Sequence, residues 1–255
     1  MSAEILLDAR NLVKHYGSVE ALRGASFQAR AGEVTALIGD NGAGKSTLVK
    51  CLSGAEQPDE GDILLDGQKV HLGSPTTARE LGIETVYQDL AVALELDPAA
   101  NLFLGREIHR KGILGKLGML DKAEMRRQAI EEFKQLGVTL QSTDVPIGAL
   151  SGGQRQSVAV ARSVVWASKV VFMDEPTAAL GVVQTERVLD VIKKVRDRGI
   201  AVVLISHNMP EVLSVADRIE VLRLGQRVAR FKAEDTKLED LVAAMTGALV
   251  QEEAA

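Results

Sequence analysis

The stretch Gly39-Asp40-Asn41-Gly42-Ala43-Gly44-Lys45-Ser46 constrains this chain more than any other feature. It follows the apolar run from Val34 to Ile38 and precedes an amphipathic segment beginning at Thr47. Glycines at this spacing predict a buried strand, a tight turn and a helix whose first N–H groups are left open. Such a turn lets backbone N–H groups curl around phosphates, and the positive end of the following helix dipole favours an anion. In the spacing Gly-x-x-x-x-Gly-Lys-Ser, Lys45 is placed to neutralise the β- and γ-phosphates of ATP, and the Ser46 hydroxyl to ligate Mg²⁺. Thr47 completes the cradle.

A phosphate cradle needs a partner that holds the metal and aims a water. The run Val170-Val171-Phe172-Met173 ends in Asp174-Glu175. Four apolar residues predict a buried strand that presents two adjacent carboxylates at its end. Asp174 is then the candidate to hold Mg²⁺ through water, and Glu175 the candidate general base on the attacking water.

Length and charge narrow what surrounds these motifs. A chain of 255 residues can bury one sizeable core, since single cores stop growing at roughly 250–300 residues. The net charge of −5 is spread along the chain without a basic stripe, which argues against nucleic acid as a partner. Cys51 is the only cysteine, so no intrachain disulfide forms, and Met1-Ser2-Ala3-Glu4 has neither the basic nor the apolar region of a secretory signal. These features point to a reducing, cytosolic setting. No run approaches the roughly 20 apolar residues of a membrane span, so service to a membrane would go through a partner.

The first seventy residues read as strands and turns, with apolar runs at 5–7, 25–28 and 34–38. Residues 63–65, Asp66-Gly67 and residues 68–70 carry the signal of a tight hairpin, so part of the sheet is expected to be antiparallel. From Thr77 to Ala167 the pattern is mostly helical, with a glycine-rich interruption from Gly105 to Gly118 holding Arg106, His109, Arg110, Lys111 and Lys116. A solvated loop, a partner contact and a lipid contact all fit that interruption. A helix over 184–198 between strands at 170–173 and 200–205 implies parallel pairing with a right-handed crossover. Leu238, Leu241, Met245 and Leu249 predict a final helix.

Twenty residues before Asp174 stands Leu150-Ser151-Gly152-Gly153-Gln154, which resembles the signature of ABC ATPases. Ser151 and Gln154 have the spacing of a capping box, so a helix starts there with the amides of Gly152 and Gly153 at its positive end. This is a second anion site. The resemblance implies that Ser151, Gly152, Gly153 and Gln154 close on the ATP held by a second ATPase subunit, so hydrolysis requires a dimer, expected to be a homodimer. It further implies that Tyr16 stacks on adenine, that Gln88 reaches the metal and the attacking water, and that His207 contacts the γ-phosphate. His15, His71 and His109 lie in no metal-ligand spacing with one another or with Cys51.

The implied fold is α/β: a P-loop NTPase of ABC type with a mixed central sheet, an N-terminal antiparallel β portion and an inserted helical subdomain. A single domain is expected at 4–249, with its core at about 4–88 and 164–230, the helical subdomain at about 89–163, and a C-terminal helix at about 235–249. After Pro176-Thr177-Ala178-Ala179-Leu180 many ABC ATPases have Asp, but here Gly181 follows, which removes a carboxylate expected near the dimer interface. That same stretch, with Gly39-Asp40-Asn41-Gly42, Asn101-Leu102-Phe103-Leu104-Gly105-Arg106-Glu107 and Ser206-His207-Asn208-Met209-Pro210, resembles the ATPase subunits of bacterial monosaccharide importers of the fructose and ribose type. Such importers imply membrane permease subunits, a periplasmic or surface sugar-binding protein, and this subunit on the cytoplasmic face of the inner membrane. Cargo is chosen by the permease and the binding protein, so another cargo stays open. A soluble ABC ATPase acting on ribosomes or DNA fits less well, because the chain has one cassette and no sustained heptads.

Overall fold

The structure is a computed structural model, described here for residues 3–86, 92–140, 142–178 and 180–251. It holds two sheets that share a helix between them. β1 (Ile5–Tyr16), β2 (Val19–Arg30), β4 (Glu60–Leu65) and β5 (Gln68–Lys69) form an antiparallel sheet in the order β2-β1-β4-β5. Asp66 and Gly67 both adopt positive φ, 51° and 73°, between β4 and β5, the conformation an Asp-Gly hairpin requires. The second sheet has the order β10-β9-β3-β8-β7-β6. In it β3 (Val34–Ile38), β6 (Ile83–Val86), β7 (Val170–Asp174), β8 (Ala201–Ile205) and β9 (Arg218–Arg223) run parallel, and β10 (Gln226–Lys232) closes one edge antiparallel.

Strand periodicity explains why the central runs are apolar without interruption. Val170 and Phe172 of β7, with Ala201, Val203 and Ile205 of β8, pack toward the antiparallel sheet and α1 (Lys45–Leu52). Val171, Met173, Val202 and Leu204 pack on the other face, against α6 (Gly152–Trp166) and α7 (Val182–Asp197). Successive side chains of a strand point to opposite faces, so a strand covered on both sides must be apolar throughout. α3 (Pro98–Leu102) and α5 (Lys122–Gln135) extend the second core away from the sheet, with Phe103 edge-on to Trp166 at 5.5 Å. α2 (Pro75–Glu80), α4 (Ile113–Lys116), α8 (Met209–Val215) and α9 (Leu238–Thr246) complete the elements used below.

Several sequence expectations need correction. The segment from Thr77 to Ala167, read as mostly helical, also holds β6, which pairs with β7. Its four residues are too few for periodicity to register. β1 and β2 are 12 residues each, far longer than their apolar runs, since His15 and Glu20 at their far ends pair in the ladder while facing water. α9 stops at Gly247, whose φ of 85° ends the helix, so Leu249 packs on the core from beyond it while Leu238 stays exposed.

Candidate active site

Three neighbouring parallel strands, β3, β8 and β7, end at the same edge of the sheet, with Leu37 paired to Ile205 and Ile205 paired to Asp174. Ligands of open α/β sheets bind outside these carboxyl ends. The loop after β3, the carboxylates ending β7 and the histidine after β8 therefore meet there by topology, although they lie far apart in sequence.

The loop after β3 is shaped by its neighbours. A Cβ on Gly39 would lie 2.2 Å from the Leu222 carbonyl oxygen, and one on Gly44 would lie 2.7 Å from that of Ala21. Gly44 also has φ of 101° as the residue before α1, a conformation that costs other residues dearly. Ala43 is buried, whereas Asp40, Asn41, Gly42 and Ser46 are exposed. No side chain caps α1, so the N–H groups of Lys45, Ser46 and Thr47 point out of the helix without intrahelical partners. Lys45 Nζ donates to the carbonyls of Gly39 at 2.7 Å and Asp40 at 3.0 Å. Burial pulls its ammonium below the usual lysine range, while Glu175, Asp40 and Asp174 pull the other way.

Burial and the adjacent Glu175 push the Asp174 carboxyl above its ordinary range, against the pull of Lys45. A carboxylate held in this way gains from a nearby cation. Glu175 sits at φ of 49°, left-handed backbone that is costly outside glycine. Its N–H donates to the Ile205 carbonyl at 2.9 Å, which ties the turn to the end of β8. Its Oε1 accepts from the His207 backbone N–H at 3.1 Å and lies 2.7 Å from His207 Nδ1. The histidine ring itself is exposed. Backbone strain and side-chain anchoring thus coincide at one carboxylate.

Tyr16 ends β1 beside α1, 42% exposed, with Lys14 Nζ 5.8 Å from its ring centroid. Burial of the hydroxyl end and the charge of Glu56 raise its phenol, and the Thr47 hydroxyl opposes them. Tyr16 and Thr47 are therefore neighbours, leaving a ring face beside the first turn of α1. Gln88 lies outside the described residues.

Ser151 caps α6 as its spacing predicts: its Oγ accepts from the Gln154 N–H, and Gln154 Oε1 accepts from the Ser151 N–H, each at 3.3 Å. Ser151 and Gly152 are exposed at the helix start, while a Cβ on Gly153 would run into the Gln184 side chain. Gly181 precedes α7 and offers no side-chain cap. Three contacts escaped the sequence reading. Buried Gln156 donates from Nε2 to the Pro176 carbonyl at 2.6 Å, which couples α6 to the turn after Glu175. Thr177 donates to Glu211 Oε2 at 2.5 Å, and Asn208 Nδ2 donates to Glu211 Oε1 at 2.6 Å. A polar residue on the inward face of a helix, as Gln156 is, was the one available signal.

Strand-end chemistry on a parallel sheet, a glycine-rich anion cradle and a second capped helix start together define a nucleotide-hydrolysing cassette, and the ABC transporter family model matches residues 22–178. The chain belongs to the ABC transporter family, as its ATP-binding, ATP-hydrolysing cassette. It is 54% identical over 250 residues to a fructose import ATP-binding protein of Rhizobium meliloti, covering 97% of this chain and 96% of that one. It is 43% identical over 241 residues to a xylose/arabinose import ATP-binding protein of Sulfolobus acidocaldarius, covering 94% of each. A ribose import ATP-binding protein of Chromobacterium violaceum is 41% identical over 93% of this chain, which spans 46% of that relative's length. Among solved structures, a nucleotide-free cassette from an ABC transporter superposes with a TM-score of 0.80 at 27% identity, covering 94% of this chain and 95% of that chain. A cassette in its ADP conformation gives 0.78 at 27% identity, covering 95% of each. Among the described residues no helix is long and apolar enough to cross a membrane.

Proposed function

We propose that this chain hydrolyses ATP to power import of a monosaccharide through membrane permease subunits, as one half of a homodimer on the cytoplasmic face of the membrane. The observation that carries the chemistry is the Glu175 carboxylate, anchored by the backbone of His207 beside Asp174 and Lys45 at one sheet edge. The likeness to fructose and xylose/arabinose import proteins over nearly the whole chain supports the cargo class.

In this reading Gly39, Asp40, Asn41, Gly42, Ala43 and Gly44 wrap the phosphates with backbone N–H groups. Lys45 leaves its two loop carbonyls for the phosphate oxygens. Thr47 extends the cradle and Tyr16 stacks on adenine. Ser46 and Asp174 offer the hard oxygen donors that suit Mg²⁺, which binds proteins through one or two such groups plus substrate phosphates. The raised Asp174 fits a site completed by a cation. Mg²⁺ supplies charge neutralisation on the phosphates when bound. Glu175 takes a proton from the attacking water, and His207 fixes its orientation. Gln88 contributes to the metal and water contacts. Ser151, Gly152, Gly153 and Gln154 present a second set of amides to the partner subunit's nucleotide, so closure of the dimer completes each site.

The test is gentle solubilisation of source membranes around the tagged chain, followed by turnover of the captured complex with a panel of sugars and sugar-binding proteins. A multi-span permease and stimulation by one monosaccharide are expected. Capture of ribosomal or DNA-bound factors without a permease would refute the transport reading and leave the ATP chemistry standing.

A further inference from the structure

The glycine-rich interruption is an ordered projection rather than a slack loop. Its base is a short ladder: Asp121 N–H donates to Ile108 O at 2.7 Å, Arg110 N–H donates to Met119 O at 2.9 Å, and His109 bridges Leu120. Ile108 packs on the main core, so the base is rooted. At the tip, α4 is closed by the bonds from Leu117 N–H to Ile113 O and from Met119 N–H to Leu114 O, both 3.1 Å. Gly115 is held so close to the Arg110 carbonyl that a Cβ would lie 1.7 Å from its oxygen. The tip nevertheless leaves Ile113 78% and Leu117 74% exposed, with Leu114 and Met119 also exposed beside them.

Fixed backbone and bare apolar side chains mark a contact surface, because ordering such a tip gains nothing for the fold itself. The charges identify what it meets. The whole chain carries −5, yet residues 105–121 hold Arg106, Arg110, Lys111 and Lys116 against two carboxylates, Glu107 and Asp121, with Glu124 near Lys111. Glu107 is turned back to accept from the Gly105 N–H at 3.0 Å, and Arg106 is engaged with Glu84 at 2.6 Å. Arg110, Lys111 and Lys116 are exposed and flank the apolar tip in sequence. Apolar side chains that insert and cations that stay at headgroup level are the two requirements of interfacial binding to an anionic bilayer.

We infer that residues 108–121 form a foot that seats this cassette on the anionic lipid surface beside its permease. The inference rests on the reading of this chain as a subunit working at a membrane. It is tested by co-sedimentation of the full chain, without permease, with vesicles of phosphatidylcholine alone and with vesicles containing a quarter phosphatidylglycerol. The chain is expected to sediment with the anionic vesicles only, and less at high salt. Changing Arg110, Lys111 and Lys116 together to Gln is expected to weaken partition about a hundredfold, from roughly fivefold per basic residue near the surface. I113S/L117S is expected to weaken it by at least about tenfold. Both variants should keep the parent's ATP affinity and thermal midpoint. Absence of parent binding to anionic vesicles overturns the inference. So does unchanged vesicle binding in variants that lose capture of the permease, which would make the foot a protein interface. Failure of the importer reading shows in permease capture and not in this assay, so the two can fall separately.

Discussion

Replacing Glu175 by Gly and by Ala isolates the backbone strain at the turn that carries the proposed general base. Both changes remove the carboxylate and its bonds to His207, and both keep the N–H that donates to Ile205 O at 2.9 Å. They differ in the backbone. At φ of 49° a Cβ costs roughly 1–2 kcal/mol, while glycine loses roughly 0.5–1 kcal/mol more than alanine in ordering. Glu175→Gly should therefore be more stable than Glu175→Ala by about 0.7 kcal/mol, the reverse of the order at ordinary helix or strand positions. For a chain of this size that is about 1–3 °C in melting temperature. Thermal and urea denaturation of the nucleotide-free chain measure it, and neither variant should turn over ATP. A more stable alanine variant would refute the argument that the turn holds Glu175 in strained backbone.

Lys45→Ala should weaken ATP binding itself, read by direct titration; unchanged affinity would count against the cradle. Ser151→Arg should leave ATP binding to the single chain intact and abolish dimer-dependent turnover, because it sets a bulky side chain at the proposed second phosphate contact; full activity would sink the shared site. Asp59 accepts from the His15 N–H at 2.6 Å and from Lys14 Nζ at 3.0 Å, and these bonds hold its carboxyl at about 2, below the ordinary 3.8. A depressed carboxyl stabilises the fold fully above its ordinary value and loses that contribution as pH falls toward about 2. Asp59→Asn should accordingly flatten the decline in stability across that acid window, and an unaltered acid limb would rule the ion cluster out as its source.

How far the sequence could be read depended on what each element had to hide. β3, β7 and β8 are covered on both faces, so Val34–Ile38, Val170–Asp174 and Ala201–Ile205 are near-continuous apolar runs and were legible at once. β9 and β10 were not, because their core includes a charge network: Glu220, almost fully buried, lies 2.8 Å from Arg230 Nη2 and 3.7 Å from Arg227 Nη1, and accepts from the Gln28 N–H at 3.3 Å. Burial pushes its carboxyl up against the pull of both arginines. Buried charges that pair across strands break the alternation on which a strand is recognised.

The site divides along similar lines. The cradle, the paired carboxylates and the capping box were legible because each is contiguous and each spacing has one physical use. The Glu175–His207 contact was not legible: the resemblance pointed His207 at the γ-phosphate, 32 residues separate the two, and the sheet order alone brings them together. The contacts of Gln156 and Glu211 were not legible, because their partners, a backbone carbonyl at Pro176 and the Thr177 hydroxyl, have no sequence signature; only the inward polar position of Gln156 hinted at one.

The central claim is that Glu175 is the base that drives hydrolysis in an otherwise intact nucleotide site. Glu175→Gln keeps the shape and one acceptor oxygen for His207 while removing the basic carboxylate. ATP affinity by titration and turnover of the pure, permease-bound complex, measured on the same preparation, test it directly. Unchanged binding with turnover down by about 10²- to 10⁴-fold is the predicted result; near-normal turnover would contradict it.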